Sequence, residues 1–128
     1  MARKIMIAED DPFVMDIYNT KLGASGFEVV SAVNGLEAVK KLRDEGVRPD
    51  MILLDIMMPY MDGLQVLHEI KNIEGVKDIP VILLTNLSQK EQIDEAMGLG
   101  AVDYLIKSHF TPSEVLEKIN EHLKPEEK

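Results

Sequence analysis

Asp55 ends the run Met51-Ile52-Leu53-Leu54, four apolar residues that lead without interruption into one carboxylate. Other apolar runs end on groups of comparable interest. Lys4 to Ala8 runs into Glu9-Asp10-Asp11, Val81 to Leu84 ends at Thr85, and Ala101 to Ile106 ends at Lys107. Carboxylates gathered at one place repel each other, so such a set either raises a carboxyl pKa or holds a cation. Oxygen donors without Cys, and without His at ligand spacing, select a hard ion such as Mg²⁺ or Mn²⁺ that keeps several waters. A carboxylate can also act as a nucleophile and become an acyl phosphate. Thr85 then offers a hydroxyl and Lys107 a point charge to phosphoryl oxygens. The chain has no Ser-His-Asp set, no metal-spaced His pair and no Gly-rich phosphate loop.

These groups meet only if the runs that carry them lie side by side. Each run is too short for a buried helix and lacks polar alternation, which fits a strand covered on both faces. Helical segments separate them. Asp11 caps a first helix opened by Pro12, with Phe13, Val14, Ile17 and Leu22 as its apolar stripe and Ser25-Gly26 as its stop. Phe27 to Ala32 is the second strand. Asn34-Gly35 opens a helix with Leu36, Val39 and Leu42 on one face, ended by Gly46. Asp62-Gly63 caps the helix of Leu64, Leu67 and Ile70. Ser88 to Glu91 is a capping box before Ile93, Ala96 and Met97, and Thr111-Pro112-Ser113-Glu114 opens the last helix. The pattern is α/β, a (βα)5 doubly wound parallel five-stranded sheet of the flavodoxin-like kind, with expected order 2-1-3-4-5. Its switch point falls between strands 1 and 3, which places Glu9, Asp10 and Asp55 together in the crevice.

The bulk properties agree. The 128 residues make one domain, with residues 1–124 folded and 125–128 expected as a disordered tail. A net charge of −9 argues against direct nucleic-acid binding and suits a cation site. No apolar run reaches membrane-spanning length and no signal peptide is evident, so no membrane insertion and a cytoplasmic location are expected.

In order along the chain, Glu9-Asp10, Asp55 with Met58-Pro59, Met61-Asp62-Gly63, Thr85, and Asp103-Tyr104-Leu105-Ile106-Lys107 resemble the response-regulator receiver domain of two-component signalling. The resemblance extends from Lys4 to Leu123. It implies that Asp55 accepts a phosphoryl group from a sensor histidine kinase or histidine phosphotransfer protein. It also implies that Asp10, Asp55 and the Met57 carbonyl ligate Mg²⁺ or Mn²⁺, with Glu9 acting mainly through water. Lys107 would contact the phosphoryl group, while Thr85 and Tyr104 move inward and alter the surface of helix 4, strand 5 and helix 5 that an output protein binds. Such a domain is a switch rather than an enzyme.

Some positions depart from the family pattern. Ser108 stands where Pro usually follows the Lys, so the usual cis peptide is not expected, and one extra residue lies near Ser108-His109. Asn86 replaces a small residue and is expected to narrow access to Asp55. Met57 and Leu87 are apolar where relatives often position water, which predicts slow phosphoryl loss. Competing functions are the receiver of a longer transcriptional regulator, a metal-dependent phosphohydrolase with an aspartyl nucleophile, and a flavodoxin-like cofactor carrier. The phosphohydrolase would want a second Asp at Met57 and a cap domain. The carrier would want a Ser/Thr/Gly loop in place of Glu9-Asp10-Asp11-Pro12.

Overall fold

A computed structural model describes residues 3–86 and 90–123. The proposed tail and the Ser88–Glu91 capping box, like Leu87, fall wholly or partly outside the described residues. Strands and helices alternate: β1 Lys4–Ala8, α1 Pro12–Ala24, β2 Glu28–Ala32, α2 Gly35–Arg43, β3 Met51–Leu54, α3 Gly63–Ile70, β4 Val81–Thr85, α4 Lys90–Gly98, β5 Asp103–Ile106 and α5 Pro112–His122. All neighbouring strands pair in parallel, in the order β2-β1-β3-β4-β5.

Strand alternation sends side chains to two separate cores. Met6, Ala8, Ile52, Leu54, Val81 and Leu83 face α2, α3 and α4. Ile5, Ile7, Met51, Leu53, Ile82 and Leu84 face α1 and α5. Burial on both faces explains why β3 is apolar throughout and β4 at every position before Thr85.

The helix starts follow the local chemistry. The Asp11 carboxylate accepts from the N–H groups of Phe13 and Val14, with Pro12 next in line. Asn34 accepts from Glu37 N at 2.8 Å. Asp62 with Gln65 and Thr111 with Glu114 form reciprocal capping boxes. Gly26, Gly46 and Gly100 take positive φ where the chain turns after α1, α2 and α4.

Several sequence expectations need correction. In α1 the buried stripe is Met15, Tyr18 and Leu22, whereas Phe13 and Ile17 are exposed. Both sets satisfy helical spacing, and the docking angle against β1 and α5 selects between them. Leu36 and Met97 also face outward, while Ala38 and Ala96 take the buried positions. β2 begins at Glu28 rather than Phe27, and β5 at Asp103 rather than Ala101. A 3₁₀ turn at Lys107–His109 follows β5, at the place where an extra residue is expected. The Lys107–Ser108 peptide is trans.

Candidate functional site at the carboxyl edge of the sheet

The ladder continues one residue beyond two strands and fixes the acidic residues there. Glu9 N donates to Ala32 O at 3.0 Å, and Asp55 N donates to Ala8 O at 3.0 Å. Glu9 and Asp55 are buried, at 4% and 5% exposure, while Asp10 is exposed. Carboxylate oxygens of Glu9, Asp10 and Asp55 all lie within 4.8 Å of one another.

Lys107 enters from the end of β5 and bridges two of these groups. Its Nζ donates to Glu9 Oε1 and to Asp55 Oδ2, the latter at 2.9 Å. Asp55 Oδ1 accepts from Met57 N at 3.1 Å, and Glu9 Oε2 from Asp11 N at 3.1 Å. One ammonium therefore serves two buried carboxylates, with Asp10 adding a third negative charge alongside.

The titration of these groups reflects that imbalance. Burial pushes the Glu9 carboxyl above its ordinary pKa, opposed by its bonds from Lys107 and Asp11 and reinforced by Asp55. Burial works against the Lys107 ammonium, but Glu9 and Asp55 together hold its pKa above the usual lysine range.

Thr85 ends β4 and is fully buried. Tyr104 is half-buried, packs against the α2–α4 side of the core, and has its hydroxyl pKa raised by burial and then by Asp55. Met57 carries an exposed side chain, so its contribution to the edge is its backbone. Asn86 is exposed. The structure thus gathers Glu9, Asp10, Asp55 and Lys107 into one cluster, with Thr85 closing the neighbouring strand. His68 and His109 are exposed.

Sequence reasoning missed Tyr18. It is buried in α1, and its hydroxyl pKa is raised by burial, with Lys107 and Glu9 close enough to act on it. With Glu9, Asp55 and aliphatic side chains it lines a cavity of about 10 Å³ under the site. The spacing Met15-Tyr18-Leu22 fits a buried helical stripe, but so does that of Phe13 and Ile17, so no local signal singles Tyr18 out. The hydrogen bond between His122 Nε2 and Asp103 Oδ2, at 2.9 Å, has no sequence signal.

The donor set suits a hard divalent cation. Three carboxylates offer only oxygen, and one of them opens to solvent, so waters can complete the shell. The remaining groups can stabilise added negative charge, through Lys107 directly and through the Thr85 hydroxyl at the next strand end.

Comparisons with known proteins agree with this geometry. The family model for the response regulator receiver domain matches residues 5–120. The chain is 37% identical over 124 residues to the chemotaxis protein CheY of Bacillus subtilis, covering 96% of this chain and 99% of that protein. It spans about half the length of the transcriptional regulators it also matches. The Vibrio cholerae chemotaxis protein CheY4 superposes with a TM-score of 0.88 at 27% identity, covering 96% of this chain and 100% of that one. The receiver domain of a Pseudomonas aeruginosa sensor histidine kinase, with magnesium coordinated in its active-site cleft, does so with a TM-score of 0.83 at 27% identity, covering 94% and 97%. With a parallel 2-1-3-4-5 sheet and an acidic cluster at its carboxyl edge, this chain belongs to the response regulator receiver domain family of two-component signalling.

Proposed function

We propose that the chain is a phosphorylation-dependent switch in which Asp55 is the acceptor. The observation that carries this reading is the juxtaposition of three carboxylates within 4.8 Å with a lysine bonded to one of them at 2.9 Å. Asp55 is the member that follows β3, the middle strand of the sheet, and like Glu9 it is held by both backbone and side-chain bonds. Its carboxylate oxygen attacks the phosphorus of a phosphohistidine on a histidine kinase or phosphotransfer protein. A P–O bond forms as the P–N bond breaks, and the imidazole nitrogen leaves with the electron pair and takes up a proton.

Asp10, Asp55 and the Met57 carbonyl would hold Mg²⁺ or Mn²⁺, with Glu9 behind them through water. When bound, such an ion neutralises crowded carboxylates and orients a phosphoryl group. The magnesium-bound structural relative described above supports this choice. Lys107 keeps one donor on the acceptor as charge is added to it. Thr85 hydrogen-bonds the phosphoryl group and Tyr104 moves with it. The added charge biases a two-state surface made by α4, β5 and α5, from which an output protein, or an output domain of a longer regulator, reads the signal.

The test is an intact mass after incubation with a small-molecule phosphodonor and Mg²⁺. One added phosphoryl group is expected, absent in Asp55→Asn and without metal. An adduct that survives Asp55→Asn contradicts the assignment.

A further inference from the structure

Gly35 opens α2 directly after its Asn34 cap and is buried. It does not occupy the left-handed backbone region, so conformation does not demand a glycine there. Space does. A Cβ at residue 35 would lie 1.9 Å from the carbonyl oxygen of Met61, 2.7 Å from its carbonyl carbon and 2.8 Å from its Cβ. Two of those three atoms are backbone, so a change of rotamer cannot relieve the contact.

Met61 belongs to the loop that follows Asp55, and that loop has little slack. Met58 N donates to Ile56 O at 3.1 Å, Gly63 N to the same oxygen at 2.9 Å, and Met61 N to Pro59 O at 2.8 Å. Tyr60 is held at φ 68, a left-handed conformation unfavourable for a side chain of its size. At the other end of the loop a Cβ on Gly63 would lie 2.4 Å from Asp55 O. The loop is therefore confined between two backbone contacts that only glycine permits, one at Asp55 and one at α2.

α2 has other anchors. Ala38, Val39 and Leu42 lie in the core, and Arg43 pairs with Glu69 of α3 at the far end of the helix. The contact at residue 35 is thus not what attaches α2 to the sheet. We propose that the first turn of α2 braces the acceptor loop, and that Gly35 is a positioning residue for the Asp55 carboxylate and the Met57 carbonyl. The inference rests on the function proposed above, because it concerns the same site. Adding one methyl group at residue 35 must part the first turn of α2 and the Met61 carbonyl by about an ångström, and disturbing the groups that support a metal site costs about tenfold or more in affinity.

Gly35→Ala is compared with Gly23→Ala, where a Cβ meets nothing within 4 Å, and with Leu42→Ala, which loosens α2 at its other end. Two readouts are taken: amide resonances of Asp55, Met57 and Gly63 in metal-free protein, and Mg²⁺ affinity by titration. Gly35→Ala is expected to displace those resonances and weaken Mg²⁺ binding about tenfold. Gly23→Ala should leave both readouts unchanged. Leu42→Ala should lower Tm while keeping Mg²⁺ affinity within about twofold of wild type, as expected of a site its packing does not shape.

Unmoved resonances in folded Gly35→Ala overturn the brace. So does a Leu42→Ala protein that loses Mg²⁺ affinity equally at the same Tm. If Gly35→Ala does not fold, Asn34→Ala decides, since it frays the first turn without adding atoms. It should bind Mg²⁺ several-fold more weakly than Leu42→Ala, and equal affinities overturn the proposal. A wild-type protein that takes up no Mg²⁺ contradicts the proposed function, and the metal-free resonances still decide the brace.

Discussion

The interior of the central strands and their carboxyl edge are one residue apart and obey opposite rules. Residues 51–54 of β3 and 81–84 of β4 are apolar and buried, each satisfied by the ladder and by packing on both faces. One position further on, Asp55 is a buried carboxylate that shares one ammonium with buried Glu9. Nearby Tyr60 holds a left-handed backbone, and Gly35 and Gly63 tolerate contacts closed to any side chain. Where local preference and global fold agree throughout, the chain is building a scaffold. Where several rules are broken together, function is the usual reason.

The largest effect should come from the scaffold. Leu53→Ala, at a fully buried site between α1 and α5, is expected to cost about 2–5 kcal/mol in denaturant unfolding. That is a large share of the stability of a domain this size. A cost under about 1 kcal/mol would mean that the central strands are less tightly packed than the contrast requires.

Lys107→Ala probes the edge at comparable magnitude. It leaves two buried carboxylates facing each other with no counter-charge, at a cost of roughly 3 kcal/mol. The lower part of the usual range applies because the lysine side chain retains 16% exposure. The pH dependence has a definite sign. The folded pKa of Lys107 is raised, so its contribution is complete below the unfolded lysine value and is lost as pH climbs through the folded one. Glu9 is raised too, so its carboxyl favours the fold below its unfolded pKa and loses that contribution as pH rises through the folded value. The Lys107→Ala deficit should therefore shrink in mild acid. A deficit independent of pH would show that lost packing, not charge, is responsible.

Met57→Asn tests the exposed side of the same edge. A polar side chain there can position water against the acyl phosphate, so the half-life of phosphorylated protein should fall several-fold. An unchanged half-life would remove Met57 from the account. The smallest effect is expected at Tyr60. Tyr60→Gly relieves a left-handed backbone worth about 1–2 kcal/mol and gives back about 0.5–1 kcal/mol in chain flexibility. A slight stabilisation should result, and marked destabilisation would assign the tyrosine ring a packing role.

The sequence carries the scaffold more plainly than the edge, for physical reasons. Uninterrupted short runs such as Met51–Leu54 favour strands covered on both faces, and Asp11, Asn34, Asp62 and Thr111 announce helix starts by local hydrogen bonding. Residue types at strand ends mark Glu9, Asp10, Asp55, Thr85 and Lys107 as neighbours, because parallel strands place their ends together. Side-chain direction past the ladder is not local information. That Glu9 turns inward to Lys107 while Asp10 turns to solvent depends on both neighbouring strands. The burial of Tyr18 instead of Ile17 depends on how α1 docks, and the Gly35 contact depends on a loop 26 positions away at Met61. None of these leaves a pattern within its own segment.

A cation proposed at the edge gives a reason for keeping mutually repelling carboxylates there. Unfolding of wild type and Glu9→Gln, each with and without Mg²⁺, tests that reason most directly. Without metal, glutamine removes an excess buried charge and can still accept from Lys107, so the variant should be the more stable. With Mg²⁺ at about ten times its wild-type Kd, wild type should gain about 1.4 kcal/mol by linkage and the variant distinctly less, narrowing or reversing the order. A variant less stable than wild type without metal, with an equal gain from Mg²⁺, would contradict it.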